Sequence, residues 1–294
     1  MTATVASIKT LNPWSWYAVA ASQDLGPGKI LPIVLSGENI VVWRAHDGRA
    51  SAWRDRCPHR GMRLSLGATT GDSLVCPYHG WTFGPDGHCH HIPAHPQLTP
   101  SRAARARIYP VAEQNGYVWV CLGEPSSSRP HAIADMIAVR TLHVPADLDV
   151  AIASLMTCVP EIEPAADGTL WRTLGEPTEW QIAEGSVTCA ETTCAKTAGD
   201  RRFSASMELP GVVSCTLSDG DAGTVRYRAL VQPTDPGACA IHLAVAAPGM
   251  PALKLALNRF LVALRRDLPR LGKSPAVLRV LDAFGRMVPE QVPA

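Results

Sequence analysis

CPHRGMRLSLGATTGDSLVCPYHGW, residues 57–81, decides how the rest of the chain is read. Cys57 and His59 stand one residue apart, sixteen residues then lead to Cys76, and two more separate Cys76 from His79. Two short loops therefore each offer one thiolate and one imidazole. Two Cys and two His suit a [2Fe–2S] cluster in which the sulfurs hold one iron and the imidazoles the other. Zinc is the rival, because Cys2His2 also makes a closed structural site. The spacing argues against it: a zinc finger pairs Cys with Cys and His with His, whereas each loop here carries one of each.

CPHRG followed by CPYHGW at this spacing resembles the Rieske signature, in the variant of soluble Rieske non-haem iron oxygenases and their ferredoxins. The membrane-complex Rieske proteins carry an extra Cys in each loop and join them in a disulfide. Here Arg60, Gly61, Met62, Pro77 and Tyr78 hold those places. The resemblance thus implies the low-potential branch, toward the bottom of the roughly −150 to +300 mV range. It implies Cys57, His59, Cys76 and His79 as the cluster ligands.

Around this stretch the sequence reads as short strands. Residues 14–20, 30–35, 39–44 and 50–54 are β-rich, split by turns at Ser36-Gly37-Glu38 and His46-Asp47-Gly48. Residues 116–122, GYVWVCL, read as a closing strand. The run W-Y-x-V-A, the V-V-W-R strand and the D-G turn are similar to the N-terminal domains of vanillate-demethylase or phthalate-oxygenase type enzymes. His88, His90, His91 and His95 form a His-rich tract, read as a polar loop near the cluster because adjacent strand residues point opposite ways. The polar, Pro-bounded stretch 124–130 sets the expected boundary, giving domains 1–128 and 129–294.

The second half has another texture. Strand-like stretches at 186–194, 203–209, 212–217, 224–232 and 239–246 precede two helical patterns, at 253–271 and 276–284. Leu253, Leu257, Phe260, Leu261, Leu264, Leu268 and Leu271 fall on one stripe of the first. Strands followed by a long C-terminal helix predict an α+β fold. The order resembles the helix-grip catalytic domain of the same oxygenases.

With 27 basic and 26 acidic residues among 294, the net charge of +1 asks for neither nucleic acid nor an anionic membrane surface. Nine Cys in no regular framework point to a reducing cytoplasm. The N-terminus has no apolar h-region, and no apolar run approaches the roughly 20 residues that span a bilayer.

The resemblance also implies a motif that the chain has altered. In these oxygenases a mononuclear Fe(II) is held by two His and one carboxylate. The pair sits in a helix that opens with Trp or Tyr, an acidic residue, then D-x-x-H-x-x-x-x-H. The matching stretch is Glu179–Lys196, in which Trp180 and Glu184 agree. Glu191 and Lys196 stand at the His positions, and Thr188 at the Asp. Asp267 or Asp282 aligns with the third ligand. The expected protein is an electron-transferring [2Fe–2S] oxygenase component with no mononuclear iron of its own. A flavin reductase or ferredoxin would supply electrons, and a related iron-containing subunit in a trimer or hexamer would receive them and bind the small-molecule substrate. An active monooxygenase or demethylase with divergent ligands is one alternative, and a non-catalytic structural or ligand-binding subunit is another.

Overall fold

The computed structural model describes residues 13–127, 129–130, 136–161, 168–173, 180–183, 186–193, 201–219, 223–246 and 251–287. They fall into two compact units, one within Pro13–Ala132 and the other within Ile133–Ala294.

The first unit is built from β1 (Tyr17–Ala21), β2 (Ile30–Leu35), β3 (Glu38–Arg44), β4 (Ala50–Arg54), β5 (Ala68–Thr70), β6 (Ser73–Val75), β7 (Thr82–Phe83), β8 (Cys89–His91), β9 (Ile108–Tyr109), β10 (Val111–Gln114) and β11 (Tyr117–Val120). They make three small antiparallel sheets, ordered β1-β11-β10, β2-β3-β4-β9 and β5-β6-β7-β8. The turn between β2 and β3 puts Ser36 and Gly37 at φ 49° and 75°. That double left-handed turn twists with the strands it joins and sets Leu35 opposite Glu38. Trp43 on β3 meets Trp53 on β4 edge to face at 5.0 Å, and Trp53 meets Phe83 on β7 at 6.5 Å. All three rings are buried, so the second and third sheets share one aromatic core.

Arg44 closes the other side. It is 8% exposed and forks onto Glu113 of β10 with two bonds of 2.6 Å. It also donates to the carbonyls of Gly48, at 2.6 Å, and Leu25. The planar guanidinium therefore joins a strand, a turn and a loop at once.

The second unit comprises β12 (Met136–Val144), α1 (Leu148–Thr157), β13 (Cys158–Pro160), β14 (Trp171–Thr173), β15 (Trp180–Ala183), β16 (Ser186–Thr193), β17 (Arg201–Glu208), β18 (Val212–Asp219), β19 (Gly223–Pro233), β20 (Cys239–Ala246), α2 (Pro251–Leu271) and α3 (Pro275–Met287). Seven strands form one antiparallel sheet, ordered β12-β20-β19-β18-β17-β16-β15, while β13 and β14 pair apart. The helices bury their apolar stripes with one face of the sheet. Leu257, Phe260, Leu261, Leu264 and Leu268 of α2 and Val277, Val280 and Phe284 of α3 share a core with Phe203, Met207, Val213, Ile241 and Leu243. Both C-terminal helices and strands β16 to β20 lie close to where the hydrophobic pattern places them, whereas β12 falls outside every stretch read as a strand.

α1 escaped that pattern because it has no single apolar stripe: the run from Ala151 to Thr157 is buried without a break. Asp147 ahead of it is the residue type that caps helices, but its carboxylate caps nothing here and accepts the Gly237 N–H at 3.2 Å.

One polar group lies deep in the sheet. His242 of β20 is fully buried, with Nδ1 2.8 Å from Thr141 Oγ1 on β12 and Nε2 2.9 Å from Gln232 Oε1 on β19. The amide oxygen accepts, so Nε2 donates to Gln232, while the Thr141 hydroxyl, which can donate or accept, serves Nδ1.

Removing the fork at Arg44 leaves Glu113 partly buried without its partner. Arg44→Ala is expected to lower stability by roughly 2–3 kcal/mol, below the full cost of a buried broken pair because Glu113 can rehydrate. The check is a fall in the urea midpoint at unchanged slope.

Candidate iron–sulfur centre

The two loops that carry the Cys and His residues have the same backbone. In the first, which follows β4, Cys57 N–H donates to Met62 O at 2.8 Å and Gly61 N–H to Cys57 O at 2.9 Å. In the second, between β6 and β7, Cys76 N–H donates to Trp81 O at 2.9 Å and Gly80 N–H to Cys76 O at 3.1 Å. Each loop is one tight turn that starts on a Cys and closes on a glycine, with φ of 77° at Gly61 and 69° at Gly80. That left-handed backbone is open to glycine at no steric cost. A Cβ on Gly80 would also stand 2.9 Å from Pro93 Cγ.

Equal turns with unequal sequences explain the donor layout. Both Cys residues start a turn and are buried, each 2% exposed. His59 is the third residue of its turn and His79 the fourth of its own, and both are exposed. Their rings lie 4.8 Å apart. His59 stacks on Trp81 at 4.3 Å and 7°, and His79 on Tyr78 at 3.8 Å. Trp81 in turn lies 6.5 Å from Phe83, which ties the imidazole layer to the aromatic core.

The structure thus gathers all four residues as two pairs, thiols inward and imidazoles outward. Among the described residues no three His, Cys, Asp or Glu side chains converge as they would on a single metal ion. A two-and-two arrangement is what a two-iron cluster needs, whereas one zinc ion needs four donors on one point. Burial pushes the Cys57 thiol up to about 11, and the neighbouring Cys76 adds to that. The backbone N–H groups of His59 and Arg60 point at the same sulfur and favour its thiolate. Partial desolvation, then the cationic forms of His79 and Arg60, hold His59 below the usual imidazole value.

Asp55, which sequence reasoning passed over, fastens the first loop. Its side chain is fully buried and accepts Ser65 N–H at 2.7 Å, Ser65 Oγ–H at 2.6 Å and Arg63 Nε–H at 2.9 Å. Its own N–H donates to Asn39 O at 2.8 Å, so the loop is clipped to β3. The only signal in the sequence is the acidic residue two before the first Cys. The His-rich tract gathers no site: His90 meets Ser73 Oγ at 3.1 Å, and His91 and His95 are exposed.

In the second unit, the stretch read as the place of the His-pair helix contains β15 and β16, paired with Trp180 opposite Cys189 and Gln181 opposite Thr188. Glu191 lies on β16, while Glu184 and Lys196 lie outside the described residues. Asp267 is committed elsewhere. Its carboxylate takes two bonds of 2.9 Å from Arg266, one of 3.0 Å from Arg270 and one of 3.2 Å from Trp171 Nε1. These donors, Arg266 first, hold it at about 2. Of the two imidazoles in this unit, His242 has both nitrogens engaged and His143 is exposed on β12.

Residues 15–110 match the sequence profile of the Rieske [2Fe-2S] domain. The chain is 40% identical to oxidoreductase NdmD of Pseudomonas putida over 149 residues, which is 48% of this chain and 25% of NdmD. It is 38% identical to the oxygenase component of chloroacetanilide N-alkylformylase of Rhizorhabdus wittichii over 112 residues, 38% of this chain and 31% of that one. It therefore spans about a quarter to a third of the length of these curated relatives. Its fold is similar over nearly its whole length to NdmB of Pseudomonas putida CBB5, with TM-score 0.74, 19% identity and coverage of 96% of this chain and 92% of that one. Dicamba monooxygenase, solved with non-heme iron and dicamba, gives TM-score 0.67 at 19% identity, covering 95% and 98%. The first unit is a Rieske [2Fe-2S] domain.

Two outcomes follow from this geometry. Asp55→Ala leaves the partly buried Ser65 N–H without this acceptor. A loss of roughly 2–4 kcal/mol and a lower yield of iron per chain are expected, read by urea unfolding and iron assay. For Asp267 the folded value lies below the unfolded one, so its contribution is complete above about pH 4 and is lost as pH falls through about 2. Asp267→Asn should remove roughly 1–2 kcal/mol at neutral pH, discounted because both arginines are exposed, and should flatten the acid limb of the stability curve.

Proposed function

We propose that this chain is an electron-transferring oxygenase component whose Rieske domain serves an iron site on a related subunit rather than one of its own. Cys57 and Cys76 would hold one iron from the buried side, and His59 and His79 the other from the exposed side. A cluster held there would supply one-electron transfer. The protein's part is to bury the sulfurs, to hold the imidazoles at the surface and to leave their outer N–H groups free to meet a partner's acceptor. The tight turns and the Trp81 stack fix those rings before any partner arrives.

The observation that carries the reading is the contrast between the units. One gathers four donors. The other offers no paired imidazoles: His143 and His242 are the only His residues beyond 131, and His242 is spent within the sheet. Asp267, one of the two carboxylates aligned with the third ligand, is neutralised by two guanidiniums, which makes it a poor cation ligand. Glu191 and Lys196 at the His positions support the same view, since a protonated Lys offers no lone pair. The partners that fit are a flavin reductase or ferredoxin as donor, and an iron-containing oxygenase chain, in a mixed trimer or hexamer, that binds the small-molecule substrate. Among the described residues no helix is long and apolar enough to cross a membrane. A cytoplasmic setting fits the free, buried Cys121, Cys158 and Cys239.

Iron content per chain tests the proposal. The purified chain should hold about two irons, show a Rieske spectrum and oxygenate nothing by itself, with turnover appearing when the iron-containing subunit is added. His79→Ala should abolish that turnover. A third iron per chain, turnover by the chain alone with a reductase, or a single zinc in place of the cluster would each overturn it.

A further inference from the structure

A polar cleft of about 310 Å³ opens beside the first cluster loop. Arg54, Arg56 and Arg63 line it with Glu38, Asp55 and Asn39, drawn from the β2–β3 turn, the end of β4 and the loop itself. Its acidic groups are already engaged. Glu38 accepts from Arg54 Nε at 3.0 Å and from the Tyr109 hydroxyl. Asp55 takes three bonds from Arg63 and Ser65. Asn39 Oδ1 receives Arg63 Nη2 at 3.3 Å. The donors are in surplus. Arg54 and Arg63 have further N–H groups, and the exposed Arg56 guanidinium lies over Gly61 with no carboxylate of its own among the described residues. A cleft with its acceptors satisfied and a fork of cationic N–H groups open takes a carboxylate.

Its position indicates whose carboxylate. Arg56 directly precedes Cys57, and Gly61, over which it lies, closes the turn that presents His59. We propose that this cleft seats an Asp or Glu side chain of the acidic one-electron donor protein that reduces the Rieske domain, so that docking and electron entry share one loop. The inference rests on the cluster reading above. One electron passes from the donor, which is oxidised, to the domain, which is reduced. The charged rim steers the encounter, so its contribution appears in the association rate and fades with salt.

The test uses the full chain with its cluster and a reduced plant-type [2Fe–2S] ferredoxin as an acidic donor, following loss of the Rieske visible band by stopped flow. Arg56→Glu should lower the second-order rate constant about tenfold at low ionic strength, with the difference disappearing near ~0.5 M salt. Asn39→Asp, which adds one negative charge and keeps the side-chain volume, should lower it about threefold. Bleaching of each variant by dithionite reports that its cluster is in place. Arg265→Glu, exposed on α2, changes net charge equally and should have little effect. Equal slowing by Arg56→Glu and Arg265→Glu would mean that only net charge matters and would overturn the proposal. So would an unchanged rate for Arg56→Glu. Saturable millimolar inorganic phosphate binding that Arg56→Glu abolishes, with no change in ferredoxin rate, would reassign the cleft to a small anion. A wild-type chain with no visible band sinks the cluster reading and this inference together, whereas a normal band with unaltered rates sinks the docking alone.

Discussion

Everything in the first unit depends on a backbone turn used twice. A Cys carbonyl accepts the N–H of a glycine four residues on, and the Cys N–H reaches the carbonyl after that glycine. The turn is short enough to be rigid and places its first side chain inward. Two copies, brought together by the β5-β6-β7-β8 sheet and the loop from β4, put two sulfurs side by side in a dry layer. What differs between the copies is only which of the following positions carries the imidazole. The protein therefore obtains a mixed donor set without a second kind of loop.

The rest of that unit keeps the two turns from drifting. Trp43, Trp53 and Phe83 form a continuous aromatic contact, and Trp81 extends it to His59. Such ring pairs add about 0.5–1.5 kcal/mol each beyond burial. Asp55 and Arg44 do by polar contact what the rings do by packing, each satisfying several donors or acceptors that no strand ladder reaches. These elements hold in place the four residues proposed as cluster ligands, where a displacement of an ångström would matter.

Much of this was legible in the sequence, for identifiable reasons. The four donor residues lie within 25 positions and their spacing is local, so the stretch 57–81 carries its meaning by itself. β2, β4 and β20 have the bounds that alternation and turn residues assign to them, and α2 and α3 differ only at their ends. α1 was not legible, because a helix buried on nearly every side has no polar face to give it a period. Nor was the fate of Asp267: its indole partner Trp171 lies 96 residues away, and no local pattern connects them. The arginine cleft escaped for the same reason, its walls coming from a turn, a strand end and a loop.

His242 has a consequence of another kind. An imidazole sealed inside a sheet and bonded to the strands on both sides adds little net energy, since water would have served both nitrogens equally well. It does forbid alternatives. Sliding β20 by one residue against either neighbour would turn the ring to the opposite side and break its bond to Thr141 or to Gln232. Long antiparallel ribbons of Ala, Val and Leu have many near-equivalent alignments. A single misfit-intolerant side chain selects one of them, trading nothing in affinity for water against a unique pairing of three strands.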